Sequence, residues 1–124
     1  MRLPFLLFRG GSSKGPVFLG QHVQSASEAA LDRLICSVMG SGHEMQIDGL
    51  GGGHGQTSKA VIVDKCESAE ADVTYTFAQV GVKHQRVDHS HGDCLNMLTA
   101  VAPAAVEAGL IGVADGTPTP MSHM

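Results

Sequence analysis

Basic side chains are scarce in this sequence and nowhere clustered: its 124 residues hold 8 Lys and Arg against 12 Asp and Glu, for a formal net charge of −4. With no Lys- or Arg-rich stripe to neutralise phosphates, the chain is poorly suited to a nucleic-acid partner. Cysteine is equally sparse. Cys36, Cys66 and Cys94 form an odd set without Cys-x-x-Cys spacing, which argues against a disulfide framework and for a reducing, cytoplasmic setting. No apolar run approaches the roughly 20 residues that span a bilayer, so no membrane association is expected. The apolar start, Met1 to Phe8, lacks a small-residue cleavage site and runs into Arg9-Gly10-Gly11, which reads as a buried strand rather than a signal peptide. Internal repeats and domain linkers are missing as well.

What is present is a hydrophobic fraction of 43% with 16 glycines, the make-up of a compact fold with many backbone-driven turns. One domain over residues 1–112 is expected, followed by a loose Gly/Thr/Pro tail over 113–124. Leu3 to Arg9 and Pro16 to Leu19 read as strands on either side of a Gly-rich turn. Ser25-Ala26-Ser27-Glu28 has the form of a capping box, and Leu31, Leu34, Ile35 and Val38 then recur at helical spacing up to Gly40. This predicts an amphipathic outer helix over about 26–39. Ala60 to Val63 is a short β-branched strand, Val73 to Val80 alternates with period two, and a return strand is expected from Gly81 to Val87. From about 94 to 109 nearly every position is apolar or small, so a central helix buried on all sides is expected, kinked or broken at Pro103. The fold class is α+β.

Three loops carry chemistry. Arg9-Gly10-Gly11-Ser12-Ser13-Lys14-Gly15 combines close-approach glycines with hydroxyls and a Lys, a set suited to a carboxylate or phosphate, or to an ordinary tight turn. Gln46-Ile47-Asp48-Gly49-Leu50-Gly51-Gly52-Gly53, followed by Thr57-Ser58-Lys59, matches neither nucleotide signature: His54 and Gln56 interrupt G-x-G-x-x-G, and Lys59 follows Ser58 instead of preceding it. An anion-receptive backbone loop remains, leading to a Lys at the mouth of a strand that could act as a base or be an ordinary surface Lys. In Asp88-His89-Ser90-His91-Gly92-Asp93-Cys94-Leu95-Asn96, Cys94 stands at the start of the buried helix, where the macrodipole favours a thiolate, or it is one more small apolar core residue. His89, His91 and Cys94 could also contribute three zinc ligands, but no fourth is local and no metal is assigned.

Together these loops resemble the family of 2-methylaconitate cis-trans isomerases and 4-oxalomesaconate tautomerases. Residues 9–15 resemble its N-terminal Arg-Gly-Gly-Thr-Ser-Lys-Gly signature, residues 46–53 with 57–59 its central Gly-rich motif, and Cys94-Leu95-Asn96-Met97-Leu98 its Cys-Gly-Asn-Met helix start, with Leu95 in place of the Gly. The resemblance runs from about Phe5 to Ile111. It implies a diaminopimelate-epimerase-like fold, a curled mixed sheet wrapped around a central helix, in which two such domains enclose the active site. It further implies a cofactor-independent proton shift on an unsaturated di- or tricarboxylate, with Lys59 and Cys94 as the catalytic pair. Gly11, Ser12, Ser13, Lys14, Gly51, Gly52, Gly53, Thr57, Ser58, Asn96 and Met97 would bind the substrate. A second copy of the chain could close the cleft, and a non-catalytic anion-binding or interaction module is the alternative.

Overall fold

The computed structural model describes residues 3–23, 27–66, 73–88, 95–110 and 121–123. Strands β1 (Leu6–Gly10) and β2 (Ser13–Leu19) form a hairpin that places Phe8 opposite Gly15 and Arg9 opposite Lys14. Helix α1 (Glu28–Met39) then carries the chain over to β3 (Lys59–Lys65), which pairs parallel to β2 with Val17 against Val61. A parallel pair needs such a crossover. β4 (Val73–Val80) runs antiparallel to β3, with Lys59 opposite Gln79 and Val61 opposite Phe77, and β5 (Val87–Asp88) continues the mixed sheet. Helix α2 (Leu95–Glu107) and a last strand, β6 (Met121–His123), complete the described elements.

The sheet is covered on both faces, and strand alternation decides which residue goes where. In β3, Val61 and Val63 join Val17, Tyr75, Phe77 and the buried face of α2 in one apolar cluster. Ala60 and Ile62, one residue out of phase, join Phe18, Ile35, Met39 and Val80 beneath α1 in another. The two helices therefore lie on opposite faces of an α+β domain.

Helix α1 begins two residues later than the capping-box pattern suggests. Ser27 is the N-cap, and its Oγ accepts from the Ala30 backbone N–H at 3.2 Å; Ser25 and Ala26 lie outside the described residues. The other end matches expectation, with Gly40 at φ 74° closing the helix in the left-handed conformation that a side chain disfavours. Ser27→Ala should lower stability by about 1 kcal/mol, seen as a lower urea midpoint at unchanged slope.

Helix α2 departs from expectation in two ways. Its buried residues Met97, Ala100, Val101, Ala104 and Ala105 follow helical spacing on one face, while Thr99, Pro103 and Glu107 are exposed. A run of small residues hides this asymmetry, because Ala serves equally well on a buried or an open face. The helix also continues through Pro103, which stands on the exposed side where the missing N–H removes one backbone bond without a clash in the core. The expected loose tail is likewise ordered in part: β6 runs parallel to β4 along Val73–Tyr75, where the edge of β4 would otherwise leave backbone groups unpaired. Among the described residues no helix is long and apolar enough to cross a membrane.

Candidate active site

The hairpin turn decides which side of β2 each motif residue faces. Ser13 and Gly15 point to the α2 face and are buried, whereas Lys14 between them is exposed, as are Gly11 and Ser12. Lys14, expected at the site, thus lies on the opposite side of the strand from Ser13. Lys59 opens β3 on the same face as Ser13 and is only 8% exposed.

Between Ser13 and Lys59 sits Gln56, in the 3-10 turn Gly55–Thr57. Its Oε1 accepts from Ser13 Oγ at 2.8 Å and from Lys59 Nζ at 3.2 Å. One carbonyl oxygen has two lone pairs, so a single acceptor serves both donors. Lys59 Nζ also lies 5.9 Å from the centroid of the Phe77 ring, within reach of a cation–π contact. Gln79, across the ladder from Lys59, donates from Nε2 to the carbonyls of Gly55 and Ser58, each at 3.1 Å, and pins the turn to β4. Met97 is fully buried, and its Cε lies 3.4 Å from the place a Cβ on Gly15 would occupy. Ser13, Gly15, Gln56, Lys59, Phe77 and Met97 therefore share one corner of the domain.

The backbone of the Gly-rich loop is engaged within the protein. Its N–H groups, expected to hold substrate carboxylates, are committed within the protein: Gly51 to Met39 O at 3.1 Å, Gly52 to Thr57 O at 3.2 Å and Gly53 to Gln46 Oε1 at 2.8 Å. Gln46 is itself 1% exposed, and its Nε2 donates to Ser58 Oγ at 2.7 Å. Ser58 Oγ in turn donates to Val80 O at 2.8 Å. Ser58 is thus completely buried, with its Oγ bonded on both sides within the protein. Thr57 is half-buried and turns its hydroxyl to His54 O at 3.1 Å.

Cys94 falls outside the described residues, as do the side chains of Leu95 and Asn96; the backbone of Asn96 lies in the first turn of α2. His89, His91 and Cys94, the possible zinc ligands, are also outside them, and among the described residues no His/Cys/Asp/Glu group could hold a metal. The sequence reading missed the roles of Gln46, Gln56 and Gln79. A faint signal for Gln56 was its position three residues before Lys59, close enough for one tight turn to bring the two side chains together.

A separate hollow of about 440 Å³ lies between α1 and the segment before β5, lined by Arg33, Cys36, Ser37, Gln85 and Arg86. Burial pushes the Cys36 thiol above its ordinary range and the Asp32 carboxylate adds to this, against a hydrogen bond with Ser41. That favours the unreactive thiol form, and the hollow includes none of the residues around Lys59.

The sequence profile of the PrpF protein family matches residues 1–123. This chain belongs to the PrpF protein family. Within and around that family, the 4-oxalomesaconate tautomerase of Pseudomonas putida is 44% identical over 120 residues, covering 97% of this chain and 32% of the relative. The 2-methyl-aconitate isomerase of Cupriavidus necator is 39% identical over 116 residues, covering 90% of this chain and 29% of the relative. The crystal structure of methylitaconate-delta-isomerase superimposes with a TM-score of 0.91 at 34% identity, over 100% of this chain and 32% of that one. The PrpF chain described here spans about a third of the length of the relatives it matches.

Proposed function

We propose that this PrpF-family chain forms one wall of the active site of a cofactor-independent isomerase or tautomerase acting on unsaturated di- or tricarboxylates, of the methylaconitate or oxalomesaconate type. The observation that carries this reading is the corner at Lys59: an amine, nearly buried, held by Gln56 and set over an aromatic face. Such placement suits a base that must act on one carbon without being spent on solvent. Lys59 takes the allylic proton beside a substrate carboxylate, the electron pair delocalises through the double bond into that carboxylate, Cys94 returns a proton at the far carbon, and proton exchange with solvent restores both side chains. The double bond has then moved, no electron has been gained or lost, and no cofactor has been consumed.

One wall does not exclude water, and the chain corresponds to about a third of its relatives. A second copy, paired about a two-fold axis, is the simplest source of the other wall. Cys36 and Cys66 are both free thiols, which fits a reducing cytoplasm. A non-catalytic anion-binding module is a second reading, favoured by the internal commitment of the Gly51–Gly53 N–H groups.

The test is solvent exchange. In D2O the chain should form a dimer and introduce deuterium into methylitaconate or 4-oxalomesaconate, and Lys59→Ala should reduce the rate at least about tenfold. Binding without exchange would favour the second reading, while exchange unaffected by Lys59→Ala would exclude Lys59 as the base.

A further inference from the structure

Gln56 did not enter the proposed chemistry except as the partner of Lys59, yet its own orientation is constrained. Lys59 Nζ donates to the carbonyl oxygen of Gln56 at 3.2 Å, the carboxamide orientation in which one oxygen serves both neighbouring donors. The same oxygen faces Ser13 Oγ at 2.8 Å. With Oε1 held between two donors, the planar carboxamide leaves its Nε2 directed away from both. Gln56 is exposed, and its Nε2 makes no hydrogen bond to any described residue. Two N–H donors on an exposed side chain next to the buried Lys59 are thus left unengaged by the described residues.

We infer that Gln56 is a substrate-binding and positioning residue: Nε2 donates to a carboxylate of an unsaturated dicarboxylate, while Oε1 holds Lys59 against the bound molecule. The inference rests on the isomerase reading of this corner. It also supplies anion donors at a place where the Gly51–Gly53 N–H groups are already engaged. A dicarboxylate gains more than a monocarboxylate, because one carboxyl group can pair with Gln56 while the allylic carbon beside the other lies at Lys59. A charge-assisted hydrogen bond of this kind is stronger than its neutral counterpart.

The experiment is an NMR titration of the whole chain with itaconate, with acrylate as the monocarboxylate control. The Gln56 carboxamide signals, assigned by their loss in Gln56→Met, should shift on addition of itaconate well beyond those of the exposed Gln21 and Gln85. Gln56→Met should weaken itaconate binding at least fivefold and acrylate binding much less. Gln56→Glu keeps an acceptor for Ser13 and Lys59 but removes both N–H donors; it should leave the Ser13 and Lys59 backbone signals in place and still weaken itaconate at least fivefold in 0.5 M salt. If the Gln56 signals move no more than those of the controls, or both variants bind within twofold of wild type, the role assigned to Gln56 is wrong and the isomerase reading is untouched. If itaconate perturbs neither Ser13 nor Lys59 in the wild-type chain, both fail together.

Discussion

Gly15→Ala should lower the stability of the domain by about 3 kcal/mol, at the upper end of what overpacking costs, and its melting temperature by about 10 °C. A Cβ at this position would lie 2.0 Å from the carbonyl oxygen of Lys59 and 2.9 Å from its carbonyl carbon. Both are backbone atoms of the neighbouring parallel strand and cannot rotate aside. Relief requires β2 and β3 to separate at the end where Ser13 and Lys59 meet, which strains the Val17–Val61 pairing beyond it. Gly55→Ala is the matched control, since a Cβ there meets nothing within 4 Å; it should stay within about 0.5 kcal/mol of wild type. Thermal unfolding of the two variants side by side decides the matter. A Gly15→Ala midpoint within about 2 °C of wild type would mean that the strands do not approach this closely.

Gln46→Met should cost about 2–3 kcal/mol, the penalty for leaving buried polar groups without partners. The side chain fits by length but offers neither donor nor acceptor. Gly53 N–H loses its acceptor, Ser58 Oγ loses a donor, and the chain of bonds from the loop through Ser58 to Val80 is cut at its first link. Gln46 also holds a φ of 48°, a conformation that few residues other than Gly, Asn or Asp adopt readily, and Met gains nothing there in return. Urea unfolding gives the stability loss. Hydrogen exchange locates it, with the Gly53 amide expected to lose protection before the amides of β3 do. Equal protection in the variant would show that the loop is held by other contacts.

Gly15→Ala acts on a contact between distant parts of the chain, and this is where reading the sequence alone reaches its limit. Local patterns were legible. The spacing of Leu31, Leu34, Ile35 and Val38 located α1, the alternation of Val73, Tyr75 and Phe77 located β4, and Gly40 marked a helix end with the expected left-handed backbone. Periodicity was weaker where side chains are small: the Ala-rich α2 read as buried on all sides, although Thr99, Pro103 and Glu107 are exposed. Three-residue β6 had too little sequence to carry a pattern at all.

For the candidate site the motifs named residues but not their arrangement. Motif order singled out Ser13, Lys59 and Met97, and the fold brings them to one corner. Glycine-rich composition also suggested that the Gly51–Gly53 amides bind anions, but composition cannot say where an N–H points, and these three point inward. Gln56 looked like a break in a glycine motif, yet it joins two segments 43 residues apart.

By itself, then, the sequence determined which segments become helix or strand and which residues could do chemistry, because hydrophobic periodicity and residue type are local properties of a chain. Only the tertiary structure decided that Lys14 faces away from Ser13, that Ser58 Oγ is buried and bonded to Val80, and that Gln56 accepts from both Ser13 and Lys59. Those outcomes depend on which buried donor finds which acceptor once α1 and α2 have covered the two faces of the sheet, and that pairing is settled across the fold as a whole.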